Sequence, residues 1–146
     1  MMEPRMDISQ LFPEGFHAML ALEGAMRNSS IDEKLYKLIK IRASQINGCA
    51  YCINMHTREA RAAGETEQRI YCLNAWREAP FYTDQERAAL ALTESVTLLA
   101  STHVPDEVYE AATAIFTKEE VAMITMGIVV INAWNRIVVT SRTQPD

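Results

Sequence analysis

No uninterrupted apolar run in this sequence is long enough to cross a bilayer. The longest apolar run, Val121 to Ile131, is about eleven residues and is interrupted by Thr125 and Gly127, against the roughly 20 that a spanning helix needs. The N-terminus, Met-Met-Glu-Pro-Arg-Met-Asp, has neither the positive start nor the apolar core of a secretory signal. Cysteine is scarce: three residues, an odd number, are too few for a disulfide framework. Basic clusters are missing as well, and the formal net charge of -5 argues against a protein that neutralises phosphates. Neither a solenoid-period repeat, nor a low-complexity tract, nor an interior linker is present. These absences lead us to expect a cytoplasmic protein in a reducing compartment, with no nucleic-acid partner and no membrane.

What is there is helix. The 146 residues are 49% hydrophobic and 23% charged, which suits one domain, residues 1–146, with a core of useful size. Pro13 to Arg27 places Phe16, Met19, Leu20, Leu22 and Met26 at amphipathic spacing. Ser30 and Glu33 have capping-box spacing ahead of a helix from about Asp32 to Gln45, which Asn47-Gly48 breaks. A third helix starts at Cys49 or Ala50 and runs to Ala63. A shorter one, Thr66 to Glu78, is closed by Pro80. Thr83 and Glu86 form a second capping box, opening a helix to about Ala100. Pro105 to Phe116 follows, and Thr117 with Glu120 opens the last helix, to about Val139. Only Ile137 to Val139 has any strand character. The reading is an all-α, single-domain helical bundle of six or seven helices.

The stretch that carries chemistry is Gln45-Ile-Asn-Gly-Cys49-Ala-Tyr-Cys52, with His56 four residues on. At about 100° per residue, Cys49, Cys52 and His56 share one narrow helix face. Two thiols at this spacing can close a disulfide with little backbone motion. A position at a helix start, where unpaired N–H groups point outward, favours the thiolate. A histidine one turn along can take or return a proton. A thiolate in such a place can be oxidised to a sulfenic acid that the second thiol condenses into a disulfide.

These residues, with Arg61-Ala-Ala-Gly64, Trp76-Arg-Glu, Thr83 to Glu94 and Asn132-Ala-Trp-Asn-Arg136, resemble the alkylhydroperoxidase D-like branch of the carboxymuconolactone decarboxylase family. The resemblance covers roughly residues 10 to 140. It implies an all-α fold assembled as a homo-oligomer (dimer, trimer or hexamer). It also implies reduction of a hydroperoxide substrate by a Cys-x-x-Cys couple that an external dithiol electron donor recharges, with no bound cofactor. Carried onto this chain, Cys52 matches the peroxidatic thiol, Cys49 its resolving partner and His56 the proton-relay histidine. Cys49 is expected at the more exposed helix tip, where an external thiol would reach it. The relay carboxylate of the family sits twelve residues before the first cysteine, and here that position is Lys37. A charged lysine cannot accept a proton, although one pointing inward would favour the thiolate by attraction. Where some members have a histidine between the cysteines, this chain has Tyr51, read as pocket wall. Glu94 is a candidate for the missing carboxylate. A small, mostly apolar pocket is expected at the start of the third helix.

Other readings compete with this one. Zinc would need a fourth ligand beside Cys49, Cys52 and His56, with His17 or His103 to complete it. His17 and His103 otherwise read as surface groups, Cys72 as a buried inert thiol, Lys37 as a solvated or salt-bridged lysine, and Glu65 to Arg69 as a solvated face. At the level of function, the alternatives are a redox-sensing or oligomeric binding protein that uses the dithiol as a switch, and a lactone decarboxylase. Decarboxylation has no need of a dithiol.

Overall fold

The computed structural model describes residues 2–146, so that of the 1–146 domain only Met1 lies outside it. Among the described residues there are nine α-helices and no strand: α1 (Ile8–Leu11), α2 (Pro13–Arg27), α3 (Glu33–Asn47), α4 (Ala50–Ala62), α5 (Glu67–Tyr71), α6 (Asp84–Thr97), α7 (Leu99–Thr102), α8 (Asp106–Ile115) and α9 (Lys118–Ser141). The count exceeds six or seven because α1, α5 and α7 are pieces of four or five residues. Ile137 to Val139 is helical, inside α9.

Local chemistry accounts for the boundaries. Thr83 and Glu86, and likewise Thr117 and Glu120, form complete capping boxes at the starts of α6 and α9. The box expected from Ser30 and Glu33 does not form. Asp32, directly before α3, accepts the Leu35 N–H at 2.8 Å instead. A carboxylate at a helix N-terminus gains from the helix dipole as well as the hydrogen bond. The expected helix from Thr66 to Glu78 stops at Tyr71 and continues as a single 3-10 turn, Leu73–Ala75. Arg87 stabilises the irregular stretch that follows by donating to the carbonyls of Trp76, Ala79 and Arg77, at 3.0, 3.1 and 2.6 Å.

The fold is organised around α3, which packs against α4, α6 and α9. One core cluster joins Leu35 and Ile39 of α3 to Leu92, Phe116, Ile124 and Ile128. A second joins Leu38 and Ile41 to Ala60, Leu73, Trp76 and Leu90. α9 is 24 residues long and, by length and composition alone, apolar enough to cross a membrane, unlike the eleven-residue run seen in the sequence. It packs as a central helix of the bundle, with Val121, Ile124, Ile128, Val130 and Ile131 buried. Gly127 lets α9 approach closely, since a Cβ there would lie 3.0 Å from the Tyr36 ring. By contrast α2 buries only Met26 and meets the bundle mainly through α9, with Phe16 edge-on to Trp134 at 6.0 Å. A groove is left between α2 and the helices that carry the cysteines.

Candidate active site

The site is built at the turn from α3 to α4. Gly48 ends α3 in the left-handed conformation, φ 64°, which a residue with a Cβ adopts only at a cost. The chain reverses there, and the Cys49 N–H donates back to the Ser44 carbonyl at 3.0 Å. Cys49 is the N-cap of α4, and its Sγ accepts the Cys52 N–H at 3.3 Å. Cys49 and Cys52 form a disulfide, their Cα atoms 5.3 Å apart.

Both cysteines are buried, and Cys49 is not at the exposed helix tip that the sequence suggests. Cys49 is 0% exposed and Cys52 2%, and of the two only Cys52 lines the neighbouring cavity. The cause is the turn: folding back through Gly48 directs Cys49 into the protein, not outward at the helix tip. The cavity is also larger than expected, about 1440 Å³, because α2 stands off from the bundle. Its wall combines apolar groups, Phe16, Leu20, Met55 and Trp134, with polar ones.

His56, one turn beyond Cys52, lines the same cavity and is 6% exposed. Its Nδ1 lies 3.0 Å from Oε2 of Glu59. Burial lowers the His56 pKa below its ordinary value and the nearby Lys40 ammonium lowers it further, while Glu59 and Glu23 oppose them. The imidazole is therefore neutral near pH 7. With Nδ1–H directed at the Glu59 carboxylate, Nε2 is left as the basic nitrogen. Beside it, Lys40 sits 4.5 Å from the centre of the Tyr36 ring, and burial lowers its pKa. The Tyr36 hydroxyl donates to Glu23 at 3.4 Å.

The structure separates the other candidates. Tyr51 lines the cavity. Lys37 also reaches the cavity wall, but its ammonium is bonded to Glu33 one turn earlier on α3. Glu94 is not in the cavity and does not serve as the missing carboxylate. It accepts from Arg42 at 3.0 Å, from the Trp76 indole at 2.8 Å and from Arg77 at 2.5 Å. Burial raises its pKa, and those three donors together outweigh burial and hold the carboxyl below its usual range. The stretch Glu65 to Arg69 is only partly a solvated face. Glu65 is buried, and Arg69 is bonded at 2.7 Å both to it and to Glu86. Cys72 is half-buried, and His17 and His103 are exposed. Among the described residues, no three His, Cys, Asp or Glu side chains gather at metal-binding spacing.

The carboxymuconolactone decarboxylase family model matches residues 13–95, which include α2, the turn, the disulfide and His56. The chain belongs to the carboxymuconolactone decarboxylase family. It is 48% identical to YdfG, an uncharacterised protein of Bacillus subtilis (strain 168), over 93% of this chain and 92% of that one. Its fold is similar to that of a crystal structure from Agrobacterium tumefaciens, with a TM-score of 0.96, 44% identity and 99% of each chain covered. That protein is of unknown function, with a suggested role as an AhpD antioxidant defence protein. The fold also resembles the debrominase Bmp8, at a TM-score of 0.82 and 21% identity, over 92% of this chain and 72% of that one.

Two polar residues beside the couple in this member of the carboxymuconolactone decarboxylase family escape a reading of the sequence. Glu59 carries a signal, since His56-x-x-Glu59 is a helical i, i+3 pair. Lys40 carries less: it lies three residues from Lys37 on α3, both reach the cavity, and only the structure shows that Lys37 is tied to Glu33 while Lys40 acts on His56.

Proposed function

We propose that this protein is a thiol-dependent peroxidase and disulfide reductase, and that its dithiol reduces hydroperoxides. The observation that carries this reading is the Cys49–Cys52 disulfide at the start of α4, with Cys52 and the neutral His56 opening on one cavity. In the reduced protein His56 takes the Cys52 proton. The thiolate attacks the terminal peroxide oxygen, the O–O bond breaks, and the alkoxide receives a proton from the imidazolium. Cys52 is left as a sulfenic acid. The Cys49 sulfur displaces its oxygen as water, forming the disulfide. A dithiol donor then returns two electrons and two protons. It attacks Cys52, the sulfur that reaches the cavity, and Cys49 leaves toward the Cys52 N–H. A cavity of about 1440 Å³ with aromatic walls suits an organic hydroperoxide better than hydrogen peroxide alone. The apolar side chains that α1, α2 and their junction leave exposed, Leu11, Phe12 and Leu20, support a homo-oligomer.

The test is a thiol titration of the reduced chain before and after an organic hydroperoxide, together with peroxide consumption under a dithiol. Loss of two thiols with sustained turnover, both abolished in Cys52→Ser, is the expected result. A second reading, a redox switch without turnover, draws on the absence of a carboxylate at position 37. Oxidation of the two thiols without sustained peroxide consumption would select it. Peroxide that leaves both thiols intact would rule out the dithiol chemistry altogether.

A further inference from the structure

The turn that carries the couple is held from behind by a partly buried chain of amides and hydroxyls. Asn47, the last residue of α3, donates from Nδ2 to Oδ1 of Asn132 and Oδ1 of Asn135, each at 2.9 Å. Asn135 donates to the Ser44 hydroxyl at 3.0 Å, and that hydroxyl donates to the Lys40 carbonyl at 2.7 Å. Asn132 donates to the Thr97 hydroxyl at 3.0 Å and accepts from Arg136 at 2.9 Å. Three helices, α3, α6 and α9, thus meet on the residues just before Gly48 and Cys49. Ser44 is held twice, by its side chain through Asn135 and by its carbonyl through the Cys49 N–H.

Asn135 is 1% exposed and Ser44 0%. Burying so many polar groups is costly unless every one is bonded. Among the described residues no buried side-chain nitrogen or oxygen lacks a partner. Apolar side chains would glue three helices together more cheaply, as they do elsewhere in this core. Hydrogen bonds add direction, and here they converge on the backbone that sets where Cys49 sits.

We propose that Asn135, acting with Asn132 and Asn47, is a positioning residue for the dithiol couple. It fixes residues 44–49 so that the two cysteine Cα atoms stay at closing distance, 5.3 Å. The effective concentration of one thiol at the other, and with it the disulfide equilibrium, is set from α9. This rests on the reading of Cys49 and Cys52 as a cycling couple. A loosened turn lowers the effective concentration and shifts the equilibrium toward the dithiol.

The experiment equilibrates the full chain with mixtures of reduced and oxidised dithiothreitol, traps thiols by alkylation and reads the oxidised fraction by mass. In the exchange, reduced dithiothreitol passes two electrons and two protons to the protein disulfide and closes its own ring. Asn135→Ala and Asn132→Ala are expected to lower the equilibrium constant for the protein disulfide by about five- to tenfold. Ile124→Val, in the core cluster of Leu35 and Ile39, lowers the melting temperature and leaves that constant unchanged. A residue that merely holds helices together destabilises the oxidised and reduced forms alike and cannot move the constant. If both asparagine variants lose melting temperature but keep the parent constant, the network is only structural and the proposal is overturned. If Asn135→Ala does not fold, Asn132→Ala, half-buried at the outer end of the network, decides the matter. A parent chain that does not exchange with dithiothreitol at all would instead end the dithiol reading. A parent that exchanges, with variants that match it, removes only this assignment.

Discussion

The cavity side of α3 and α4 and the opposite side, which faces α5 and α6, have similar charged residues and use them differently. On that opposite side the buried or half-buried carboxylates Glu65, Glu86 and Glu94 are fully engaged. Glu94 accepts from three side chains, and Arg69 binds both Glu65 and Glu86. On the cavity side Glu59 has a single partner, His56, and its side chain is 47% exposed. Fully bonded carboxylates lock a fold but resist protonation. A carboxylate with one partner and access to water can orient a base and tolerate a change in its charge. A related contrast separates the two cysteines: Cys49 is sealed inside the protein, and Cys52 lines the cavity.

The most direct way to break this comparison is to isolate each thiol in a Cys72→Ser background, since Cys72 is free and half-buried. In Cys49→Ser the remaining Cys52 is expected to form a mixed disulfide with an aromatic disulfide reagent. In Cys52→Ser the remaining Cys49 is expected to react on the order of a hundredfold more slowly. Stopped-flow absorbance of the released thiolate measures both. Equal rates would mean that Cys49 opens to solvent readily and that the two sides are not distinct.

The carboxylates give the next largest effect. We expect Glu59→Gln to reduce dithiol-dependent peroxide consumption about fivefold and His56→Gln to reduce it about a hundredfold, the usual range for loss of a positioned base. Glu94→Gln should leave the rate near that of the parent. It should instead cost about 2 kcal/mol, a fall in Tm of about 6 °C for a chain of this size, because the amide keeps one acceptor oxygen but loses the charge and turns the other into a donor facing a guanidinium. Steady-state kinetics and calorimetry on the same three proteins separate the roles. A Glu94→Gln protein with parent stability and a lost rate would reverse the assignment.

A smaller effect concerns pH. His56 holds its proton more weakly in the folded protein than in the unfolded chain, chiefly through burial and then through Lys40. Below neutral pH the unfolded chain takes up that proton first, so stability falls as pH drops through about 6.5. The loss ends once the pH is below the folded value. The lowered carboxyls, Glu86 and Glu94, lose stability in a separate window, beneath their ordinary value of 4.5. The melting temperature of the parent should therefore fall between pH 7 and pH 5, and that of His56→Gln should fall less. Parallel curves would show that burial of His56 is not what makes it a weak base.

Much of the fold was legible because caps and periodicity are local. Thr83 with Glu86 and Thr117 with Glu120 stand where their spacing puts them, and α2 has the expected bounds, Pro13–Arg27. The stretch from Cys72 to Ala79 was not legible, because its shape depends on Arg87, which arrives from α6 to satisfy its carbonyls. The site divides in the same way. The spacing of Cys49, Cys52 and His56 gave their common helix. Which sulfur faces the cavity depends on the left-handed turn at Gly48 and on the standing-off of α2, and neither is visible from a periodicity. Glu94 shows the limit most clearly. Its position in the chain does not reveal that Arg42, Trp76 and Arg77 converge on it from two other parts of the fold.

The smallest expected effect is at Lys37, and it bears on how this chain manages without a carboxylate there. Lys37 is paired with Glu33, whose side chain is 84% exposed, and such a solvent-screened pair adds little to stability. The cation that acts on His56 is Lys40. Lys37→Gln should therefore change neither stability nor rate appreciably. Lys37→Glu restores a carboxylate to α3 but sets it one turn from Glu33, where like charges repel. If Glu59 already orients His56, the peroxide-consumption rate of Lys37→Glu should stay within about threefold of the parent, because a second acceptor adds little to a base that is already held. A rise well beyond that would mean that Glu59 leaves the relay incomplete and that a carboxylate from α3 can finish it. Combining Lys37→Glu with Glu59→Gln sharpens the result, since rescue of the Glu59→Gln defect by the α3 carboxylate would place both on one proton path.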